Sequence, residues 1–357
     1  MGMDPCVVTP WNPERVDCGC DVIRYFSLPI YSRHPYRYGY PKADPAIWRK
    51  LSTRKFSLVH SHCPFSSGRL AVYVKKNQRV PLIGTFHSKY RTDLEHSLRH
   101  LPWMIPIIMR RILRFFDMCD EVWIPQPAVE ETVREYGFKG KLTVVDNGID
   151  YADMTVEESD RFKFRCKREL GIEPDTLSLL FVGQHIWEKG IGLIAEALKK
   201  IDGEVRFHMN FVGTGYAAKE LQAMVDSSGL SSRVRLCGSV TSREELKIYY
   251  GASDLFLFPS LYDNAPLVVR EAAALGTPSV IPLGSTASEV IRDGVNGFLS
   301  ERSADAYADM IKRLDRQRDL IASAGLGAKR TLVRSWEDVV EEVADRYRIL
   351  IKNHQNR

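Results

Sequence analysis

Short apolar runs alternate along this chain with longer stretches whose apolar positions recur every three or four residues. The first pattern is that of strands buried on both faces, and the second that of helices with one face on a core. In the first half, strands are predicted at Phe56 to His60, Pro81 to Phe86, Glu121 to Ile124 and Leu142 to Val145. In the second half they are predicted at Leu177 to Val182, Val205 to Val212, Val234 to Cys237, Asp254 to Phe258 and Pro278 to Ile281. Such alternation implies parallel sheets covered by helices on both faces. A chain of 357 residues exceeds one ordinary core, so two such domains are expected, at residues 1–150 and 151–335. Asp146-Asn-Gly-Ile-Asp150 ends the first, and the polar segment Tyr151 to Asp175 carries the chain to the second. Trp336 to Ile351 reads as a long amphipathic helix inside a terminal segment, 336–357. No internal repeat or low-complexity tract interrupts either half.

Composition narrows the class. No run reaches the ~20 apolar residues of a membrane span, and the first residues lack the order of a signal peptide. Seven cysteines at irregular spacings suggest reduced thiols in the cytoplasm. Cys18-Gly-Cys20 and His60-Ser-His62-Cys63 lack the matching partner pair of a metal site, so no metal is expected. Charge is uneven: residues 1–150 hold 22 Lys and Arg against 15 Asp and Glu, and the remainder 28 against 30. The basic first half suggests an anionic partner, either a membrane surface or an acidic substrate. Aromatics and arginines interleave from Tyr31 to Tyr40, but no nucleic-acid-binding signature accompanies them, so nucleic acid is not expected. From Pro106, the apolar residues Ile108, Ile112, Phe115 and Cys119 recur at helical spacing beside Arg110, Arg111 and Arg114, with Trp103 upstream. Two readings fit: a basic helix lying on an anionic membrane, or a core-facing helix with solvated arginines.

The densest candidate chemistry runs from Ser260 to Gly276. Leu261 to Ala265 reads as a loop with Asn264 as a helix cap, Pro266 suits a first turn, and Gly276 suits a helix end. A helix starting near Pro266 puts Glu271 roughly 7.5 Å along the axis, at ~1.5 Å per residue. The helix start then falls between two carboxylates, Asp263 and Glu271. Its free N–H groups attract a phosphate, while the acids accept hydrogen bonds from hydroxyls. Taken alone, the pair reads more simply as a turn residue and an exposed helical residue; its company changes that. His60, His62 and His87 follow predicted strands of the first half, and Gly183, Lys189 and Gly213-Thr-Gly215 follow strands of the second. A lone histidine is often a packing residue, a Gly-X-Gly a turn, and a lysine a surface charge. Because each of these strand ends precedes a helix, the groups are expected at the mouth of a two-domain cleft.

At this point the chain resembles a known family. Phe-Val-Gly-Gln-His-Ile-Trp-Glu-Lys-Gly (181–190), Phe-Val-Gly-Thr-Gly (211–215), Arg-Leu-Cys-Gly-Ser-Val (235–240), the acid-to-acid segment 263–271 and Asp-Gly-Val-Asn-Gly-Phe-Leu (293–299) are similar in order and spacing to the nucleotide-sugar half of family-four retaining glycosyltransferases. Val-His-Ser-His-Cys-Pro-Phe-Ser-Ser-Gly (59–68), Gly-Thr-Phe-His (84–87) and Asp-Asn-Gly-Ile-Asp (146–150) resemble the acceptor-side domain more loosely. The resemblance implies the GT-B fold, two Rossmann-like, doubly wound parallel-sheet domains facing a cleft. It also implies that segment 336–357 crosses back to pack on the first domain; a terminal helix of the second domain is the other reading. Family members usually begin with a strand, a glycine-rich turn and a helix before anything like Cys6 to Pro10, so the first domain is expected to lack its first strand and helix.

Roles follow by resemblance. Glu271 would bind the donor's ribose, and Asp263 the hydroxyls of the transferred sugar. Lys189 would neutralise the leaving diphosphate, helped by the backbone at Leu267 and Val268. The loop from Leu236 to Val240 would take the base, Gly183 would let backbone approach the ligand, and Gln184, Gly213 and Gly215 would complete the donor site. His62 and His87 lie on the acceptor side, with His87 reaching toward the donor sugar as the domains close. The implied reaction moves a sugar, with retention, from a nucleoside-diphosphate sugar, nominally a UDP-sugar with the base itself unread, to a glycan or lipid. The leaving phosphate takes the acceptor's proton, so neither metal nor cofactor is implied. The expected location is the cytoplasm, with peripheral attachment to the inner membrane face through the basic first domain. Asp263 stands where glutamate is usual and Gln184 where arginine is common, a loss of one cation at the diphosphate. With the expected N-terminal loss, these departures keep a second reading open, a non-catalytic sugar-nucleotide or glycan-binding protein of the same fold. A nicotinamide dehydrogenase is excluded, because no strand is followed by Gly-X-Gly-X-X-Gly with an acid about 20 residues on.

Overall fold

The long apolar run Leu177-Ser-Leu-Leu-Phe-Val182 forms a strand whose six residues are all buried. Only a strand covered on both faces tolerates such a run, and it sits inside a parallel sheet. In the computed structural model, which describes residues 2–13, 19–30, 37–150 and 154–356, the chain divides into two units. One comprises residues 1–146 with 337–357, the other residues 147–336. Cys18 of the Cys18-Gly-Cys20 pair, residues 31–36 of the aromatic and arginine stretch, and residues 151–153 of the connector lie outside the described residues.

In the first unit, β1 (Cys6–Pro10) and β2 (Asp21–Tyr25) pair in parallel, and β3 (Ser27–Pro29) and β4 (Arg37–Gly39) pair antiparallel. A separate four-stranded sheet follows, of β5 (Val59–Ser61), β6 (Leu82–Thr85), β7 (Glu121–Ile124) and β8 (Leu142–Val144), all parallel and in sequence order. The hydrophobic pattern does not foresee β1 to β4: β3 and β4 are three residues each, and Arg24 interrupts β2. The antiparallel pair is a departure from the all-parallel expectation. Helix Met104–Asp117 turns Met109, Ile112, Phe115 and Phe116 into the core with Leu82, Phe86 and Val122. Its opposite side exposes Ile107, Arg110, Arg111 and Arg114, preceded by Trp103 at 65% exposure. Helix Trp336–Gln355 belongs to this unit from Glu337 onward, where Tyr347 bonds His60 and His354 bonds the Arg79 carbonyl.

In the second unit, β9 (Leu177–Val182), β10 (Phe207–Val212), β11 (Val234–Gly238), β12 (Leu255–Leu257), β13 (Ser279–Pro282) and β14 (Phe298–Ser300) form one parallel sheet in the order β11-β10-β9-β12-β13-β14. The chain builds outward from β9 in one direction and then, from β12, in the other. Ligand crevices open beyond the carboxyl ends of the strands at such a reversal. The β9–β12 pair is pinned at its other end. Asp254, 7% exposed, accepts hydrogen bonds from the Ser178 N–H at 2.8 Å and from Lys167 at 2.8 Å, and pairs with Lys163 at 2.7 Å.

Candidate active site

The carboxyl ends of β9 and β12 carry the residues singled out in the sequence. After β9 the chain passes Gly183 and exposed Gln184, enters a short 3-10 turn at Trp187–Lys189, and starts helix Ile191–Ile201 at Gly190. Gly190 has φ +75°, and a Cβ there would strike the ring and carbonyl of Pro259. Only glycine lets this turn lie against the segment after β12, and that contact delivers Lys189 to Asp263.

Lys189 forms an ion pair with Asp263 Oδ1. The side chains are 12% and 20% exposed, and the other carboxylate oxygen accepts from Ser260 Oγ at 2.7 Å. The ammonium also lies 5.4 Å from the Tyr262 ring centroid and 5.6 Å from that of Phe258, within reach of cation–π attraction. A largely enclosed ammonium needs a counter-ion, and Asp263 supplies one.

Helix Leu267–Ala274 begins three residues beyond Asn264, with Pro266 at its N-cap and no side-chain cap. The expected cap at Asn264 is therefore not made. Pro266 has φ −69° and leaves the first-turn N–H groups, those of Leu267 and Val268 among them, without carbonyls upstream in the helix. Glu271 sits on this helix and accepts a 2.8 Å hydrogen bond from Tyr250 OH. Burial raises its carboxyl above the ordinary value, while the Tyr250 hydrogen bond and the Arg243 charge pull partly back.

Gly213 follows β10, with φ +136°, and a Cβ there would overlap the carbonyl oxygen of Gly183. A Cβ on Gly215 would likewise clash with the His185 backbone. The structure thus packs the two glycine turns directly on one another. Tyr216 closes the join: its hydroxyl donates to Glu188 at 2.6 Å and accepts from the Trp187 N–H at 3.2 Å. Leu236 and Val240 are half-buried, but Leu236 lies inside β11, so the expected loop starts only after Gly238. The Gly213 N–H donates to the Gly238 carbonyl at 2.7 Å, which ties that loop to the glycine turn.

Sequence reasoning missed Tyr250, Ser260, Tyr262 and Tyr216. Ser260 and Tyr262 lie within three residues of Asp263 and were findable by proximity. Tyr250 and Tyr216 reach Glu271 and Glu188 from separate elements, and no local spacing announces them.

His87 stands apart in the first unit, beyond β6. His62 Nδ1 and His87 Nε2 lie 2.9 Å apart, a hydrogen bond in which either ring can donate. The His60 ring lies 4.2 Å from that of His62, and its nitrogens meet Thr85 Oγ1 and Tyr347 OH, each at 2.6 Å. Burial lowers the His87 imidazole to about 4, helped by His62, and holds His62 below its ordinary value as well. His60 is pushed well below by burial and by both neighbours. The three rings are a neutral cluster near pH 7. Among the described residues, no group of three or more His, Cys, Asp or Glu is arranged to hold a metal ion.

A doubly wound sheet with its polar groups at the β9–β12 reversal, in a chain with a second α/β unit, defines a two-unit α/β protein whose candidate ligand crevice lies on the second unit. The family described as "Glycosyl transferases group 1" matches residues 176–317, and that described as "Glycosyltransferase Family 4" matches residues 1–153. The chain belongs to the family-four, group 1 glycosyltransferases of GT-B fold, enzymes that move a sugar from a nucleotide sugar to an acceptor. It is 24% identical over 276 residues to the alpha-monoglucosyldiacylglycerol synthase of Acholeplasma laidlawii, covering 74% of this chain and 68% of that protein. Its fold is similar to that of Anabaena HepE, crystallised with UDP and glucose, with a TM-score of 0.73, 17% identity, and coverage of 91% and 85% of the two chains. The sucrose-phosphate synthase of Thermosynechococcus elongatus gives a TM-score of 0.79 at 19% identity, over 99% and 90%.

Proposed function

We propose that this enzyme transfers a hexose with retention of configuration from a nucleoside-diphosphate sugar, bound on the second unit, to a hydroxyl of a lipid at an anionic membrane surface. The observation that carries the donor half is the enclosed Lys189–Asp263 pair beside the uncapped start of helix Leu267–Ala274. A diphosphate at that helix start meets free N–H groups and the positive end of the helix dipole. Lys189 is then shared between Asp263 and the phosphate, and its charge stabilises the negative charge that grows as the anomeric bond breaks, worth about 3–4 kcal/mol for one well-placed group. Asp263 keeps a carboxylate at the reacting sugar, and Glu271, oriented by Tyr250, accepts from the ribose hydroxyls. Gly183, Gln184, Gly213, Gly215, Leu236 and Val240 line the nucleotide. The chain's own groups supply the charge stabilisation at the diphosphate, and no cofactor is assigned a step.

The acceptor half rests on two features of the first unit. His62 and His87 form a neutral, hydrogen-bonding pair suited to an acceptor hydroxyl. Helix Met104–Asp117 keeps its apolar side for the core and presents Trp103, Ile107, Arg110, Arg111 and Arg114 outward, which suits contact with anionic headgroups. The core-facing reading of this helix describes its buried side, and the membrane reading is the proposal for its exposed side. No helix among the described residues is long and apolar enough to cross a membrane, and the proposed attachment is peripheral, at the cytoplasmic face. The test is incubation with UDP-glucose and diacylglycerol in phosphatidylglycerol vesicles, followed by NMR of the anomeric carbon. An α-linked glucolipid is expected. A β-linked product would overturn retention, and, with a soluble oligosaccharide added as a competing acceptor, glucosylation of the oligosaccharide without any lipid product would overturn the acceptor.

A further inference from the structure

A parallel sheet covered on both faces is ordinarily apolar on both. At the amino ends of β9, β10 and β11, one face departs from this. Leu177, Phe207, Met209 and Val234 are buried on the other face, whereas Ser178 and His208, register partners, share the polar one. Thr176, Arg206 and Arg233 stand at the entries to the three strands. There the Leu177 N–H donates to the Arg206 carbonyl at 3.0 Å and the Met209 N–H to the Arg233 carbonyl at 2.8 Å. These entries, with His208 and segment 171–173, line a cavity of about 190 Å³.

The polar groups lining it are uncommitted. Thr176 is 7% exposed, and its hydroxyl makes no hydrogen bond yet is not enclosed, unlike Ser178 Oγ and Asn210 Nδ2 of the same sheet. Among the described residues, the exposed Arg206 side chain makes no hydrogen bond or ion pair. Arg233 lies over the Phe207 ring at 5.1 Å and pairs with Asp202, which leaves part of its N–H fork open. Burial holds the His208 imidazole below its ordinary value, so the ring is neutral near pH 7. Its Nε2 donates to the Asn210 carbonyl at 3.3 Å, and Nδ1 is left as an acceptor. Helix Val156–Glu169 ends beside the cavity, but its Lys167 and Arg168 carbonyls already accept from the Ile172 and Gly171 N–H groups at 2.8 and 3.1 Å.

This set of donors and acceptors selects the ligand. Two guanidiniums match a phosphate with paired N–H donors. A bare phosphate would leave His208 Nδ1 and the Glu173 carboxylate unmet, and hydroxyls satisfy both. The volume falls below the ~300–1,000 Å³ of drug-sized sites, so the ligand is small.

We propose that this cavity binds a small phosphorylated polyol, its phosphate on Arg206 and Arg233 and its hydroxyls on Thr176, His208 and Glu173. The site lies at the opposite strand ends from Lys189 and Asp263, and it does not rest on the donor-site reading.

The experiment is calorimetric titration and hydrogen–deuterium exchange of the whole chain with glycerol 3-phosphate, inorganic phosphate and glycerol. Glycerol 3-phosphate is expected to protect residues 171–177 and 206–208 and to bind about tenfold more tightly than inorganic phosphate, with no binding of glycerol. Arg206→Gln should weaken glycerol 3-phosphate about tenfold with an unchanged melting temperature. Thr176→Val should leave inorganic phosphate unaffected and narrow the advantage of glycerol 3-phosphate. Equal affinity for the two phosphates would overturn the polyol. Wild-type affinity in Arg206→Gln, protection at residues 183–190 and 260–271 instead, or no binding of either phosphate would overturn the site.

Discussion

The second unit holds its six described strands in one parallel sheet, whereas the first distributes eight among three sheets. That difference decides how each unit makes a site. In the second, the proposed donor site falls at the reversal of strand order between β9 and β12, where glycine turns and a short helix bring Lys189 and Asp263 together. In the first, the carboxyl ends of β5 and β6 present a stack of histidines whose position depends on a helix from the far end of the chain, through the His60–Tyr347 bond. Topology positions the one, and side-chain packing the other.

The comparison breaks most sharply at Asp254, which pins β9 to β12. Asp254→Ala leaves the Lys167 ammonium, 6% exposed, with only the carbonyls of Pro174 and Thr176. A loss of about 3–5 kcal/mol is expected. Hydrogen exchange during urea unfolding should show it in β9 and β12 before any change in β5 to β8; equal loss in both units would show that stability is not partitioned this way.

Next comes Lys189→Ala, which removes the cation at the proposed leaving group. Turnover should fall on the order of 100- to 1,000-fold with the fold intact by circular dichroism, and wild-type kcat would remove Lys189 from the reaction. Glu271→Gln tests the opposite trade. A buried carboxylate whose folded pKa is raised destabilises the folded state at neutral pH, so the neutral amide should leave the melting temperature level or higher. Affinity for the sugar nucleotide should drop about tenfold through the ribose. A lower melting temperature with unchanged affinity would make Glu271 structural.

The smallest effect sharpens the first unit's side. His60, His62 and His87 all have folded pKa values below their unfolded value near 6.5, so the unfolded chain binds more protons as pH falls. The stabilisation present above pH 6.5 should fade progressively between about 6.5 and 4, the value to which His87 is lowered. Chemical unfolding followed in β5 to β7 should show this slope, and a Tyr347→Phe variant should alter it. A flat profile in that window would mean that the cluster protonates without cost.

Legibility in the sequence follows the same division. Leu177–Val182 is legible to the residue because a segment with five apolar residues in six, set between Thr176 and Gly183, has few alternatives. The grouping of Lys189 with Asp263 and of the glycine turns with one another is legible because strand-end glycines, Lys189 and the Asp263-to-Glu271 spacing are local features. β1 to β4 and β14 were not, being short or edge strands whose pairing comes from tertiary context. Nor was Asn264: its loop position suggested a cap, and only burial revealed an amide with nothing to bond. The histidine stack was half legible, its members marked by strand ends but their union with Tyr347 visible only in three dimensions.

The central claim is that the donor is held by the β9–β12 reversal of the second unit. Hydrogen–deuterium exchange, with whichever of UDP-glucose and GDP-mannose binds, tests it most directly. Protection is expected at residues 183–190, 213–216 and 260–271, with little change in β1 to β4. Protection confined to the first unit, or no protection by either sugar nucleotide, would contradict it.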